Sequence, residues 1–348
     1  MASHENYEGV FLHSDVEIEH INHKNQNHAP ILNQWMQDLP EIIHNLPLNC
    51  LAIPGSHESG SYSVSALDDY APDGLFLSKS RAVQLLGSTA KKVICGWMKT
   101  QDLTCKEQLE MGIRYFDFKV ATKPGSSDLY IVHGLYGDSM TTVLDSIKEF
   151  LDLHPKEVVL LHFQQLFAMT NDDHHRLLRQ ITEIFGSKVC PVVPKMEKLT
   201  LSWLWHQQYQ VLVFYMHDVA NYHPFLWKKE FILSPCPKAV KGSELMQFLV
   251  EQHKQEKPLR KFVVSQGVLT PTATFTLRHP CSNFRDLLVD SAHEVLQEWL
   301  KGKQSLNIII SDFVDIKDCW FPRTVVGMNY SRPLGKDEIN GKSKVTTE

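Results

Sequence analysis

Two histidines stand just past apolar runs that read as strands. His57 follows Leu51-Ala52-Ile53 in LAIPGSHESG, and His133 follows Leu129-Tyr130-Ile131-Val132 in LYIVHG. Between them lies Arg114-Tyr115-Phe116-Asp117-Phe118-Lys119. Two histidines, a carboxylate and a cation at strand ends suit cleavage of a phosphodiester whose alcohol carries a neighbouring hydroxyl. One group takes the proton of the attacking hydroxyl and another returns a proton to the leaving oxygen. Histidine suits both tasks because it titrates near neutrality. A cation such as Lys119 meets the charge on the phosphoryl oxygens. Glu58 and Asp312 are carboxylates available to orient the imidazoles. Plainer roles stay open: Glu58 as a helix cap, and Asp117 with Lys119 as a structural ion pair, since residues two apart on a strand share a face.

The elements that must position these groups alternate along the chain. Leu51–Ile53, Ile113–Val120, Leu129–Val132, Val158–Phe163, Val211–Tyr215, Phe262–Ser265 and Ile308–Ser311 are short apolar runs, the pattern of a parallel sheet covered on both faces. Helical spacing fills the intervals. Met140, Val143, Leu144, Ile147, Phe150 and Leu151 make one apolar face, as do Leu177, Leu178, Ile181, Ile184 and Phe185 before a stop at Gly186. A third helical stretch runs from Phe284 to Leu300. The alternation predicts an α/β fold, a (β/α) barrel. Polar residues cluster at the predicted strand ends: His57, Asp117, Lys119, His133, Gln164, Gln266 and Asp312. Barrel enzymes build their sites on that face. Tyr215 also ends a run and, with Asp117, Gln164 and Gln266, is a candidate for substrate binding.

Composition bounds the function. The chain has 348 residues, 43% apolar, with a net charge of −5. No long-range basic field draws nucleic acid. Seven scattered cysteines, odd in number and without a CxxC pair, favour free thiols in a reducing compartment. No apolar run approaches the roughly 20 residues that span a bilayer, and the polar start MASHENYEGVFLHSD lacks a signal-peptide core. A cytoplasmic protein is expected. Residues 1–30 read as a polar arm, 31–330 as one barrel domain, and 331–348 as a tail.

Several motifs together carry a resemblance. Ile53-Pro54-Gly55-Ser56-His57-Glu58-Ser59 resembles the opening motif of phosphatidylinositol-specific phospholipase C (PI-PLC) X domains. Gln108 to Lys119 (QLEMGIRYFDFK) resembles the motif that follows. Val132-His133-Gly134 is similar to the second histidine motif, and His154-Pro155-Lys156-Glu157-Val158-Val159 to the next strand's entry. Asn307 to Val314 (NIIISDFV) fits the last barrel strand. The likeness covers about Leu46 to Asn329 and is strongest to the single-domain animal group of PI-PLC X domain-containing proteins. It implies a distorted (β/α)8 TIM barrel and a phosphoric diester hydrolase acting on phosphoinositide at a transiently contacted membrane surface. By the resemblance His57 is the general base and His133 the general acid, with Glu58 paired to the second histidine and Asp312 to the first. The products are diacylglycerol and a cyclic inositol phosphate that water can open.

Three positions depart from the family pattern. Glu58 stands where bacterial members carry Asp and calcium-dependent ones Asn. Lys119 replaces an Arg of the bacterial enzymes, keeping the charge but losing the bidentate fork. Gln164 occupies the place of a calcium-ligating acid. Lys119 and Gln164 favour metal-independent chemistry over a weak calcium site at Glu58 and Asp117. Two other readings follow from the same residues: a barrel that binds inositol lipid without turning it over, and a metal-dependent glycerophosphodiesterase-like enzyme. The segment Ser61 to Gly87 reads as a lid or an insertion, and Phe225-Leu226-Trp227-Lys228-Lys229 as a membrane contact or a buried corner.

Overall fold

The computed structural model describes residues 30–331 except 75–78, 80, 256, 257, 259, 280 and 304. Of the predicted arm, residues 1–30, and tail, residues 331–348, all but Pro30 and Ser331 lie outside the described residues. The described residues from Ile31 to Ser331 belong to one compact unit.

Eight strands follow a curled path. Their chain-order labels are β1 Ile53–Ser56, β2 Tyr115–Thr122, β5 Val159–Phe167, β6 Val211–Tyr215, β7 Leu226–Trp227, β8 Ile232–Leu233, β9 Phe262–Gln266 and β10 Ile308–Ser311. Spatially they run β7-β6-β5-β2-β1-β10-β9-β8, all parallel. Among the described residues β7 and β8 do not pair, so the barrel is open on one side. Two further strands leave this path. β3 Leu129–His133 and β4 Leu135–Ser139 form an antiparallel hairpin that extends β2. The run Leu129–Val132, read above as part of the parallel set, is therefore a hairpin arm, and His133 stands at its turn beside Gly134 (φ 70).

Two apolar layers explain why the lower parts of the strands are mostly apolar. Ile53, Tyr115, Leu160, Leu212, Phe214, Phe262, Val264, Ile308 and Ile310 fill the barrel interior. Their neighbours Phe116, Phe118, Leu161, Val213 and Ile309 face the helices. Strand alternation then fixes what stands above each interior residue: Asp117 and Lys119 above Tyr115, His57 above Gly55, Asp312 above Ile310. Gly55 is required there, because a Cβ would meet the Tyr115 ring at 2.8 Å and Ile310 at 2.9 Å.

The helices that matter for the site are α1 Ser88–Met98, α2 Cys105–Glu110, α3 Met140–Leu153, α4 Asn171–Phe185 and α5 Asp290–Leu300. α3 buries the six apolar residues its spacing predicted, and a capping box between Thr104 and Glu107 starts α2. The stretch from Phe284 begins with a π-helical turn, Arg285–Val289, before continuing as α5. Below the mouth, Arg114 and Glu157 form a fully buried ion pair at 2.8 Å. The remaining Arg114 donors reach the carbonyls of Leu109, Ile113, Leu32 and Asn33.

Candidate active site

β1 and β10 run side by side in register up to Ser56 and Ser311. The next residues, His57 and Asp312, face each other across the strand ends. His57 Nδ1 donates to Asp312 Oδ1 at 2.8 Å. Asp312 is buried while His57 keeps 15% of its side chain exposed, so the far edge of the imidazole is the accessible one. Burial alone would lower the His57 pKa, but the Asp312 charge and hydrogen bond, with Glu58 and Asp117 nearby, raise it to about 9. Burial, opposed by the His57 charge, raises Asp312.

Glu58 follows His57 with a left-handed backbone (φ 44). Conformations of this kind cost about 1–3 kcal/mol in a non-glycine residue and persist only where neighbours enforce them. Ser59 does so here: its amide donates to Asp117 O at 2.8 Å, its hydroxyl accepts from Asp117 N at 2.8 Å, and Gln108 Nε2 donates to Ser59 O at 2.9 Å. The Glu58 carboxylate is turned to Lys119, with Oε1 2.5 Å from Nζ, and lies 3.8 Å from His57 Nε2. Despite burial, the charges of Lys119, His133 and His57 hold Glu58 below the usual carboxylate range. Burial opposes the Lys119 charge, but Glu58 outweighs it and raises the Lys119 pKa.

Among the described residues no ion pair joins Glu58 to His133. Instead His133 Nδ1 donates to the carbonyl of Met98 at 2.6 Å. A carbonyl only accepts, so the proton sits on Nδ1 and the neutral ring carries its lone pair on Nε2. Burial lowers the His133 pKa, with Glu58 pulling the other way and Lys119 adding to the fall. Asp73 Oδ2 accepts from Gly134 N at 2.9 Å and fixes the turn that carries His133.

Asp117 shares the interior face with Lys119 and is buried, with no hydrogen-bond partner on either carboxylate oxygen. Burial and the Glu58 charge push its pKa up to about 7. His57, Glu58 and Asp117 each place one potential ligand atom within 4.8 Å of the others. Calcium takes about six to eight oxygens. Here the Lys119 ammonium already rests on Glu58, which leaves few oxygens of this group for such an ion.

His57, Glu58, Asp117, Lys119, Asp312 and His133 are thus brought together at the mouth. Of the other candidates, Gln266 lies on the same interior face, opposite Ile310 in the ladder, whereas Tyr215 does not. Tyr215 points to the helices, is buried, and hydrogen-bonds His174 Nδ1 at 2.8 Å through its hydroxyl. Gln266 is buried and donates to Ser234 Oγ at 3.0 Å. Gln164 is half-buried, at the bulge where the β2–β5 register slips between Phe118 and Lys119. Leu226 and Trp227 are fully buried strand residues, so that run is a core corner. The Met98 carbonyl, Asp73 and Ser59 were not foreseen. Only Asp73, in a Pro-Asp-Gly turn, carries a sequence signal.

No family model matches the chain. Curated relatives do. The chain is 39% identical over 303 residues to PI-PLC X domain-containing protein 2 of Mus musculus, covering 85% of this chain and 87% of that one. It is 36% identical over 305 residues to PI-PLC X domain-containing protein 3 of Homo sapiens, covering 86% and 94%. Among solved structures, the phosphatidylinositol-specific phospholipase C of Listeria monocytogenes superposes with a TM-score of 0.58 at 18% identity, over 88% of this chain and all of that one. The F249X mutant of the Staphylococcus aureus enzyme does so with 0.55 at 15%, over 87% and 98%. The open parallel barrel is therefore the fold of the bacterial phospholipases, and the chain belongs to the family of PI-PLC X domain-containing proteins.

Proposed function

We propose that this protein cleaves the phosphodiester of an inositol phospholipid, releasing diacylglycerol and a cyclic inositol phosphate, without a metal. The observation that carries this reading is the His57–Asp312 hydrogen bond at the mouth, with a second histidine and a buried-stem cation beside it.

The inositol 2-hydroxyl gives its proton to His57 Nε2 as its oxygen bonds to phosphorus. The bond from phosphorus to the diacylglycerol oxygen breaks, and that oxygen takes a proton from His133. Lys119 faces the negative charge on the phosphoryl oxygens. Asp312 holds the imidazolium that forms on His57. Water opens the cyclic product with the two roles exchanged.

The free protein favours the opposite protonation pattern, with His57 charged and His133 neutral. The reactive pattern, with the proton on His133, is a minor form that an anionic phosphate beside His133 and Lys119 enriches.

Contact with a membrane surface is supported by Leu67, Leu85, Tyr222 and Leu287. All are exposed and all lie on connections that follow the C-terminal ends of barrel strands. Among the described residues no helix is long and apolar enough to cross a membrane. None of the seven cysteines, all of them among the described residues, is in a disulfide, which fits a reducing, cytoplasmic setting.

Purified protein incubated with phosphatidylinositol vesicles in excess chelator tests the proposal by appearance of the cyclic phosphate. A second reading, inositol-lipid binding without turnover, draws on the 2.5 Å Lys119–Glu58 pair, which ties the phosphate-binding cation to a carboxylate. Vesicle binding with no product would favour it.

A further inference from the structure

The two residues of the His57–Asp312 pair share a backbone problem. One residue past each member of the pair the backbone turns into the left-handed region: Glu58 has φ 44 and Phe313 has φ 43. Strain of this sort needs external support. The ladder's last bond, His57 N to Ser311 O at 3.1 Å, lies below both turns.

One buried carboxamide spans them. Gln101 is fully buried. Its Nε2 donates to His57 O at 3.0 Å and to Ser311 O at 3.0 Å. Its Oε1 accepts from Val314 N at 3.3 Å. Thr100 adds two bonds of the same kind: its hydroxyl donates to His57 O at 3.1 Å, and its carbonyl accepts from Phe313 N at 2.7 Å. Ser61 Oγ holds Thr100 in turn, lying 2.8 Å from its hydroxyl and accepting from its amide at 3.0 Å. Two residues earlier, the same segment presents the Met98 carbonyl to His133.

We propose that Gln101, supported by Thr100, is the positioning residue that sets the geometry of the His57–Asp312 pair for the reaction proposed above. No substrate atom need touch it. Its donors define where the two strands end relative to each other, and hence the distance from His57 Nδ1 to Asp312. No bonds are made or broken at Gln101.

The inference rests on the proposed hydrolase reading for its kinetic consequence but not for its structural one. The structural readout is the proton NMR signal of the His57 Nδ1–H, shifted far downfield by the carboxylate and assigned by its loss in Asp312→Asn. Gln101→Leu keeps the volume and removes every polar contact. The expected result is a folded protein in which that signal moves upfield or broadens, with kcat on phosphatidylinositol lowered about tenfold to a hundredfold and KM little changed, as misplacement of a reacting group produces. Thr100→Val should move both readouts in the same direction by less, and Thr100→Ser should restore them. A folded Gln101→Leu with an unchanged signal overturns the inference. If Gln101→Leu does not fold, Thr100→Val against Thr100→Ser decides by the same criterion. If the unaltered protein binds lipid without turnover, the hydrolase reading fails while the NMR signal still decides the positioning role.

Discussion

Lys119 Nζ lies 2.5 Å from Glu58 Oε1, a half-buried ammonium meeting a buried carboxylate between the two histidines. The cation proposed above to meet the phosphate is thus held by Glu58. Lys119→Met should lower kcat by about a hundredfold to a thousandfold, the loss typical of one charge-stabilising donor. Lys119→Arg, which restores a fork able to grip two phosphoryl oxygens, should keep most of the rate. Initial rates on phosphatidylinositol vesicles for the two variants check this, and equal rates for Lys119→Met and unaltered protein would remove Lys119 from the mechanism.

The pH profile of kcat/KM should fall on both sides, with an alkaline limb near pH 9. In the reverse pattern the limbs belong to the pair, whichever partner acts as base. The upper limb follows from His57, whose pKa is raised to about 9 against the pull of burial by Asp312. Asp312→Asn removes that charge and should bring the alkaline limb down by a unit or more while lowering the maximum rate. A limb that stays near 9 in Asp312→Asn would assign it elsewhere.

Asp117 should oppose folding as it ionises. Burial raises its pKa to about 7 from a reference of 3.8. A raised carboxyl pKa means the folded state binds more protons than the unfolded one, so stability falls as pH rises through that window. Asp117→Asn should therefore raise Tm, little at pH 4 and more at pH 8, in melts followed by circular dichroism. A Tm gain that does not grow with pH would contradict the assignment.

The Arg114–Glu157 pair predicts a purely structural loss. Both side chains are buried, and Glu157 also accepts from Gln37 N at 3.1 Å, joining the first helical turns to the barrel. Glu157→Ala leaves a buried guanidinium without its counter-charge and should cost about 3–5 kcal/mol. Urea unfolding measures this directly. A loss below 1 kcal/mol would show that the carbonyls around Arg114 suffice.

These cases also show what was legible in the sequence. His57, Asp117, Lys119 and Asp312 could be found because a strand's alternation places them on one face above apolar residues that face the same way. Tyr215 could not be excluded in the same manner. Val211 to Tyr215 is apolar on both faces, so nothing in its composition says which face is the interior. The hairpin of β3 and β4 was missed because only Gly134 separates the two strands. Glu58 was read as the partner of His133; its left-handed backbone turns the carboxylate onto Lys119, while its charge still acts on His133. The support from Met98, Thr100 and Gln101 comes from backbone carbonyls and a loop carboxamide, which leave no pattern of spacing.

The central claim is that two histidines move the protons of an intramolecular phosphodiester cleavage. Phosphorus NMR of phosphatidylinositol vesicles with the purified protein in excess chelator follows this most directly. The account predicts a cyclic phosphodiester signal that appears first, with none formed by His57→Ala or His133→Ala. An intact protein that binds the vesicles and leaves the lipid signal unchanged, with or without calcium, would contradict it.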